Sequence, residues 1–520
     1  MSRSSVSSVE GISMPSKLRH LVQAQKPDIK INLARSQKTY TTLDKIEGTV
    51  CVTAPVDTRF DVVDIEFVGT SRTYVERLTT AAAVSGRSEA FHQFLKLTQP
   101  GLQQHYPEDG ILKAGQAYDL PFVFVVPQQL LPRVCKHGVH NDAVRDAHLQ
   151  LPPSLGDKDL ANQPDALDDF APDMASVRYG VFAKVSRVKM HDDEAIKVSL
   201  ASKARKLRVM PATDEAPPLD VGGEEHDYVM RKEKALRKGM LKGKLGTLIA
   251  EAAQPQSLRL RSYTNPDFRT TTMATVMLRF DPADENSPPP RLGSLSSKLK
   301  VCTFFAITAR HNFPSKHASL LDLTQGMHSE EIKLSSRCMA NVEWAKCDPT
   351  KPATIERRDS ACSLTAGETP DPSAAYQGKV YYTARLLVPV TLPTHKSFVP
   401  TFHACLVTRV YQIKLELGVH SAGIGSSMDL KVPIQISAEG SSDDRSLRRD
   451  SGAQEDGAEA DAEDASDFFQ PRTLRAPSEG FVGRSRIGSQ APINDAPPGY
   501  SAFVPSTHMA NRRHLSVPVY

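Results

Sequence analysis

The sequence predicts an all-β fold: two antiparallel β-sandwich domains, joined by a basic connector and flanked by disordered N- and C-terminal segments. Three observations carry this reading. Short runs alternate apolar and polar residues with period two, Gly, Pro and Asp punctuate them, and no helical pattern intervenes of the kind that parallel strands need for their crossovers. The 520 residues leave room for two substantial cores plus unstructured ends.

Residues 1–26 are Ser-rich and weakly apolar, a poor source of core surface, and read as a disordered leader. The first sandwich is expected over residues 27–212. Its strands are IKINLA (29–34), GTVCVTA (48–54), DVVDIEFVG (61–69), LPFVFVVP (120–127) and VRYGVFAKVSRV (177–188), each alternating or rich in β-branched and aromatic residues. The Asp- and Pro-rich stretch at 140–173 reads as a surface loop.

Residues 213–243 form the basic connector. Arg231, Lys232, Lys234, Arg237, Lys238 and Lys242, with Lys244 just beyond, surround a single acid, Glu233, within MRKEKALRKGMLKGKLG. This run reads as a short basic helix or an extended linker, broken at Gly239 and Gly243. A second sandwich follows over 244–438, with strands KLGTLIAEA (244–252), TTMATVMLRF (271–280), KLKVCTFFAITAR (298–310), KVYYTARLLVPV (379–390), HACLVTRVYQIKLELGV (403–419) and MDLKVPIQI (428–436). From 439 to 520 the pattern dissolves into acidic low complexity and then a Ser-, Pro- and Gly-rich segment, read as a disordered tail.

The charge balance, 64 Lys+Arg against 60 Asp+Glu, gives a net +4. A global field that drives nucleic-acid or membrane binding is thereby excluded, and any electrostatic role is local. Seven cysteines (Cys51, Cys135, Cys302, Cys338, Cys347, Cys362 and Cys405) are scattered without a C-x-x-C pair. Their spacing suits neither a zinc knuckle nor a secreted disulfide framework, so no metal site and no cofactor are expected. With neither an apolar leader nor a long apolar run, the sequence is expected to be a soluble, cytoplasmic protein.

Enzyme signatures are thin. Ser297 and Lys300 make an S-x-x-K without its companion motifs, and the consecutive His191, Asp192, Asp193 and Glu194 cannot converge on one ion. Pro288, Pro289 and Pro290 stiffen the entry to a strand. The sharpest motif is Pro497-Pro498-Gly499-Tyr500, a P-P-x-Y. Its prolines form a polyproline II turn that docks in the aromatic groove of a WW domain while Tyr500 fills the adjoining pocket. Arg513, Ser516 and Pro518 match R-x-x-S-x-P, the phosphoserine pattern read by 14-3-3 proteins. The basic run is a candidate contact for anionic lipid or an acidic cargo segment, at roughly 1 kcal/mol per cation near a charged surface.

The strand blocks resemble the fungal α-arrestins, the arrestin-related trafficking adaptors. The resemblance rests on IEGTVCV, DIEFVGTSRTYVE (64–76), LPFVFVVPQQLLP (120–132), HLQLPPSLG (148–156), VRYGVFAKV (177–185), KLGTLIAEAAQPQSL (244–258), SPPPRLGSLSSKLKVCTFF (287–305), FHACLVTRVYQIKLEL and KVPIQI. It implies two arrestin-type, immunoglobulin-like sandwiches and a non-enzymatic adaptor. Members use P-P-x-Y motifs to bring a WW-containing HECT-class ubiquitin ligase to plasma-membrane transporters or receptors, whose ubiquitination leads to endocytosis. Pro497, Pro498 and Tyr500 match that motif. Peripheral recruitment to the plasma membrane or endosomes follows from the same resemblance. The competing expectation is an arrestin-fold signalling or sorting scaffold that does not act through a ligase.

One P-P-x-Y, where members often carry several, removes avidity within one chain. Lys431 is also the last lysine of the sequence. A ligase docked at Tyr500 therefore finds its acceptors in cargo or upstream, and self-ubiquitination is expected to map before residue 432. Mass spectrometry of the modified chain checks this; modification confined to other residues would contradict it.

Overall fold

The computed structural model describes residues 26–35, 39–77, 86–157, 167–191, 194–219, 227–239, 243–261, 270–347, 369–421 and 424–440. They form an all-β fold with two hydrophobic cores. Around the first core, β1 (Asp28–Leu33), β2 (Lys45–Thr53) and β7 (Ala117–Val125) pair in the order β1-β2-β7. Opposite them lie β4 (Val62–Arg77), β5 (Gly86–Thr98), β8 (Ala175–His191) and β9 (Glu194–Leu207), in the order β5-β4-β8-β9. A short pair, β3 (Thr58–Arg59) with β6 (Ile111–Leu112), lies beside them in sequence.

Around the second core one sheet runs β10-β11-β13-β17-β16. Its strands are β10 (Arg231–Arg237), β11 (Lys244–Ala252), β13 (Thr271–Pro282), β16 (Ala345–Cys347) and β17 (Tyr381–Thr391). The facing sheet contains β14 (Arg291–Ala306), β15 (Gln325–Cys338), β18 (Phe402–His403) and β19 (Val407–Ser421), ordered β15-β14-β19-β18, with β20 (Ile424–Ile434) along β19. The one parallel ladder among the described strands joins β12 (Leu258–Leu260) to β21 (Ile436–Ala438).

The period-two pattern sets which side chains face inward. In β1, Ile29 and Ile31 are buried opposite Val52 and Val50 of β2, which lie in turn opposite Tyr118 and Leu120 of β7. Val63, Ile65 and Phe67 of β4 close the same core from the facing sheet with Val177, Tyr179, Val181, Ala183 and Val185 of β8. In the second core, Val276, Leu278 and Phe280 of β13 meet Ile413, Leu415 and Leu417 of β19. Pro121 and Pro389 interrupt two strands where each is paired on one side only, so their missing N–H groups break no ladder.

One expectation is corrected here and another is narrowed to one of its two alternatives, the extended one. The 140–173 stretch is not all surface loop. Asp142–Leu149 forms a helix, α1, whose first turn is capped by Asn141 Oδ1 accepting from Val144 N at 2.9 Å, and it buries Val144 and His148. The chain beyond it buries Leu151 and Leu155, and Tyr179 donates to the Pro152 carbonyl at 2.5 Å. The basic run is not helical. Arg231–Arg237 is a sheet-edge strand, antiparallel to β11, which buries Leu236 in the second core and leaves Ala235 exposed, while Arg231 and Lys232 reach acids on neighbouring strands. A second short helix, α2 (Lys316–Leu321), stands on a Ser315 cap. No helix among the described residues is long and apolar enough to cross a membrane.

Gly69, in the middle of β4, is a packing glycine. A Cβ there would lie 2.5 Å from Phe94 and 2.9 Å from Tyr179, rings that meet edge-to-face over the position. Gly69→Ala gains about 0.5–1 kcal/mol of backbone entropy and loses about 1–3 kcal/mol to overpacking. The expected outcome is a net loss of stability, read as a lower urea midpoint at unchanged m-value.

Candidate functional site

The two cores exchange side chains across the seam between the sheet systems. Phe170, which precedes β8 in the first half of the chain, is buried in the second core and packs on Phe398 with ring centroids 5.6 Å apart. Phe305, Val399, Phe402, Leu406 and Val407, from the second half, are buried in the first core. Phe170 holds φ at +58°, a left-handed backbone that a bulky L-residue adopts only under constraint.

The constraint is visible in its hydrogen bonds. Asp168 Oδ1 accepts from Phe170 N at 2.9 Å, Asp169 Oδ1 accepts from Ala171 N at 3.0 Å, and Asp169 Oδ2 accepts from Gly156 N at 2.8 Å. From β19, Arg409 reaches across, its Nη1 donating to the Asp169 carbonyl at 2.9 Å and its Nη2 to the Phe170 carbonyl at 3.2 Å. Arg409 is the largest fully buried side chain described, at 0% exposure. Further ties surround it: Lys396 pairs with Asp168 at 2.7 Å, Ser397 N donates to the Asp168 carbonyl at 2.9 Å, and Thr73 donates to the Ala306 carbonyl at 2.6 Å.

At another place on the seam, the loop before α1 meets the segment before β19. There Cys135, His137, His148 and Cys405 converge, with one donor atom from each within 4.8 Å of every other. Cys135 Sγ is 3.2 Å from His137 Nε2 and 3.6 Å from His148 Nδ1, and His137 Nε2 is 3.4 Å from Cys405 Sγ. His137 Nδ1 lies 3.0 Å from the Gly138 carbonyl, which can only accept, so Nδ1 carries a proton and Nε2 faces the two sulfurs. Burial, reinforced by neighbouring His137, Arg310 and Arg145, holds His148 down to about 4 and therefore neutral. Burial, with the adjacent Cys135, pushes the Cys405 thiol up to about 12. Arg310 is buried beside them, donating to the Leu406 carbonyl at 3.5 Å and to Thr408 Oγ1 at 3.4 Å, and desolvation lowers its pKa to about 9.

Residues expected from the sequence fall elsewhere. In β10, Arg231 pairs with Glu233 at 2.8 Å and Glu251 at 3.0 Å, Lys232 pairs with Asp429, and Lys234 donates to the Ser427 carbonyl at 2.7 Å. Just past the strand, Lys238 pairs with Asp284 at 2.5 Å. Arg237 and Lys244 show no ion pair among the described residues. Lys242, Pro497, Pro498, Tyr500, Arg513, Ser516 and Pro518 lie outside the described residues. Ser297 shares its hydroxyl with Ser335 at 2.9 Å, and its spacing of three from Lys300 along β14 sends the two side chains to opposite faces. His191 and Glu194 are a cross-strand pair where β8 turns into β9.

The cysteine spacing pointed away from any ligand set; the four-residue cluster, whose donor atoms are placed so that they could hold a metal ion, was not read from the sequence. Its sequence signal was Cys135-x-His137 followed by His148; nothing in the spacing selects Cys405, which only the seam brings near. No protein-family model matches the chain, and no curated protein matches it significantly.

Arg409→Met keeps most of the side-chain volume but strips the donors from two carbonyls, at about 1–3 kcal/mol for each left unsatisfied in the interior. The expected result is a fall in stability of about 2–5 kcal/mol, measured by urea unfolding. A wild-type midpoint would mean that these carbonyls are satisfied by other groups.

Proposed function

We propose that the chain is an arrestin-type adaptor of two β-sandwiches, which links membrane transporters or receptors to a WW-containing HECT-class ubiquitin ligase and so promotes cargo ubiquitination and endocytosis. The observation that carries the reading is the Pro497-Pro498-Gly499-Tyr500 motif, which follows the sandwich-like all-β region in sequence. An adaptor needs a rigid body for cargo and a separate docking peptide for the ligase. Proximity then does the work, raising the effective concentration of cargo lysines near the ligase.

Several features support this division of labour. A depression of about 190 Å³ on the face of β14, β19 and β20 is lined by Lys298, Lys414 and Lys431 with Glu331, Glu416 and Asp429, charges of both signs of which Lys414 and Glu331 form an ion pair. At the end of α2, Leu320, Leu321 and Leu323 stand exposed, apolar surface of the kind that a docking partner covers. Ser516 would regulate the ligase arm: 14-3-3 bound to the phosphoserine masks the nearby Tyr500.

Pull-down of the full chain with isolated WW domains tests the reading. Tyr500→Ala should abolish capture and, in cells, leave cargo at the surface. Equal capture of both proteins, or capture of neither, would remove the ligase arm and leave a scaffold.

A further inference from the structure

The sulfur and nitrogen atoms at the seam have the spacing of a coordination shell. Zinc bound by thiolate at about 2.3 Å and by imidazole at about 2.0–2.1 Å in a tetrahedron sets adjacent donor atoms about 3.3–3.8 Å apart. The three separations given above, 3.2, 3.4 and 3.6 Å, fall in or beside that range. All four donor atoms lie within 4.8 Å of one another, close enough for one ion to draw them together.

The chemistry of the surroundings agrees with the geometry. The His137 proton is fixed on Nδ1 by the Gly138 carbonyl, the outer-shell contact that orients a metal-binding imidazole and frees its other nitrogen. Three of the four residues are buried and His137 is partly so, with no carboxylate in the set.

We propose that Cys135, His137, His148 and Cys405 form a structural Cys2His2 zinc site that staples the loop leading into α1 to the segment leading into β19. Each thiol gives its proton to solvent and its sulfur lone pair to the metal. His137 ligates through Nε2 and His148 through Nδ1. Two thiolates cancel the charge of Zn²⁺, so the site is neutral overall, and no atom changes oxidation state. Four protein ligands close the tetrahedron and leave no position for a substrate, which makes the site structural rather than catalytic. The staple joins the two halves of the chain, because His137 and Cys405 are 268 positions apart in sequence.

The test uses the full chain, purified without chelator and without a metal-affinity step. Elemental analysis should find about one zinc per chain, and Cys135→Ser/Cys405→Ser should carry less than about a tenth of that. Removing zinc from the wild type with a strong chelator should lower its thermal midpoint, and the double variant should show no such response. Should that variant fail to fold, wild-type protein titrated with Co²⁺ carries the test. Intense visible bands of a tetrahedral site with a thiolate-to-cobalt charge-transfer band support the proposal; the weak spectrum of hexa-aqua cobalt overturns it. A wild-type chain without zinc, a double variant that retains it, or a Cys135–Cys405 disulfide in a non-reducing peptide map would likewise overturn it.

Discussion

Arg409 holds together what would otherwise come apart. Its guanidinium, fully buried, donates to two successive carbonyls at a point where the backbone is in a left-handed conformation that phenylalanine disfavours by about 1–2 kcal/mol. The strain persists because it lets the Phe170 ring leave the core of its own half and enter the other. In the opposite direction, Val399, Phe402, Leu406 and Val407 enter the first core. With apolar groups exchanged both ways, sliding one sheet system against the other would expose both cores, so the seam resists motion more than a flat polar contact would.

The electrostatics follow the same economy. The basic strand β10 would present a strong local field if its cations were free, yet most of them meet acids or carbonyls on β11, β20 and the turn after β13. Such exposed pairs add little stability, each about 0–1 kcal/mol. Their effect is to keep an edge strand soluble and unavailable for pairing with another sheet. The proposed adaptor role therefore leans on the C-terminal motif and on apolar surface such as that after α2, more than on a charged belt.

Strands with one face on a core were readable from the amino acids alone. KLGTLIAEA and TTMATVMLRF correspond to β11 and β13 almost residue for residue, because β11 is an apolar run buried along most of its length and β13 buries every second residue from Ala274 before its end is wholly buried. Among the strands that were not foreseen, β5, β9 and β15 lie at sheet edges with few fully buried side chains; β15 has none. Without a buried face, period two carries no hydrophobic contrast, and GRSEAFHQF or QGMHSEEIK looks like loop. Helix α1 was hidden for a related reason: DAVRDAHL is polar on average, and what stabilises it is the Asn141 cap and two residues inserted into the seam.

Composition and periodicity thus determined the all-β class, the place of most core strands and the P-P-x-Y motif, since each depends on neighbours within about ten positions. The tertiary structure alone decided the rest: that Phe170 belongs to the other half's core, that the basic run is an edge strand, and that Cys405 meets Cys135, His137 and His148. The first and last of these depend on contacts between residues more than a hundred positions apart, and local spacing holds no record of which distant segments the two cores will bring together.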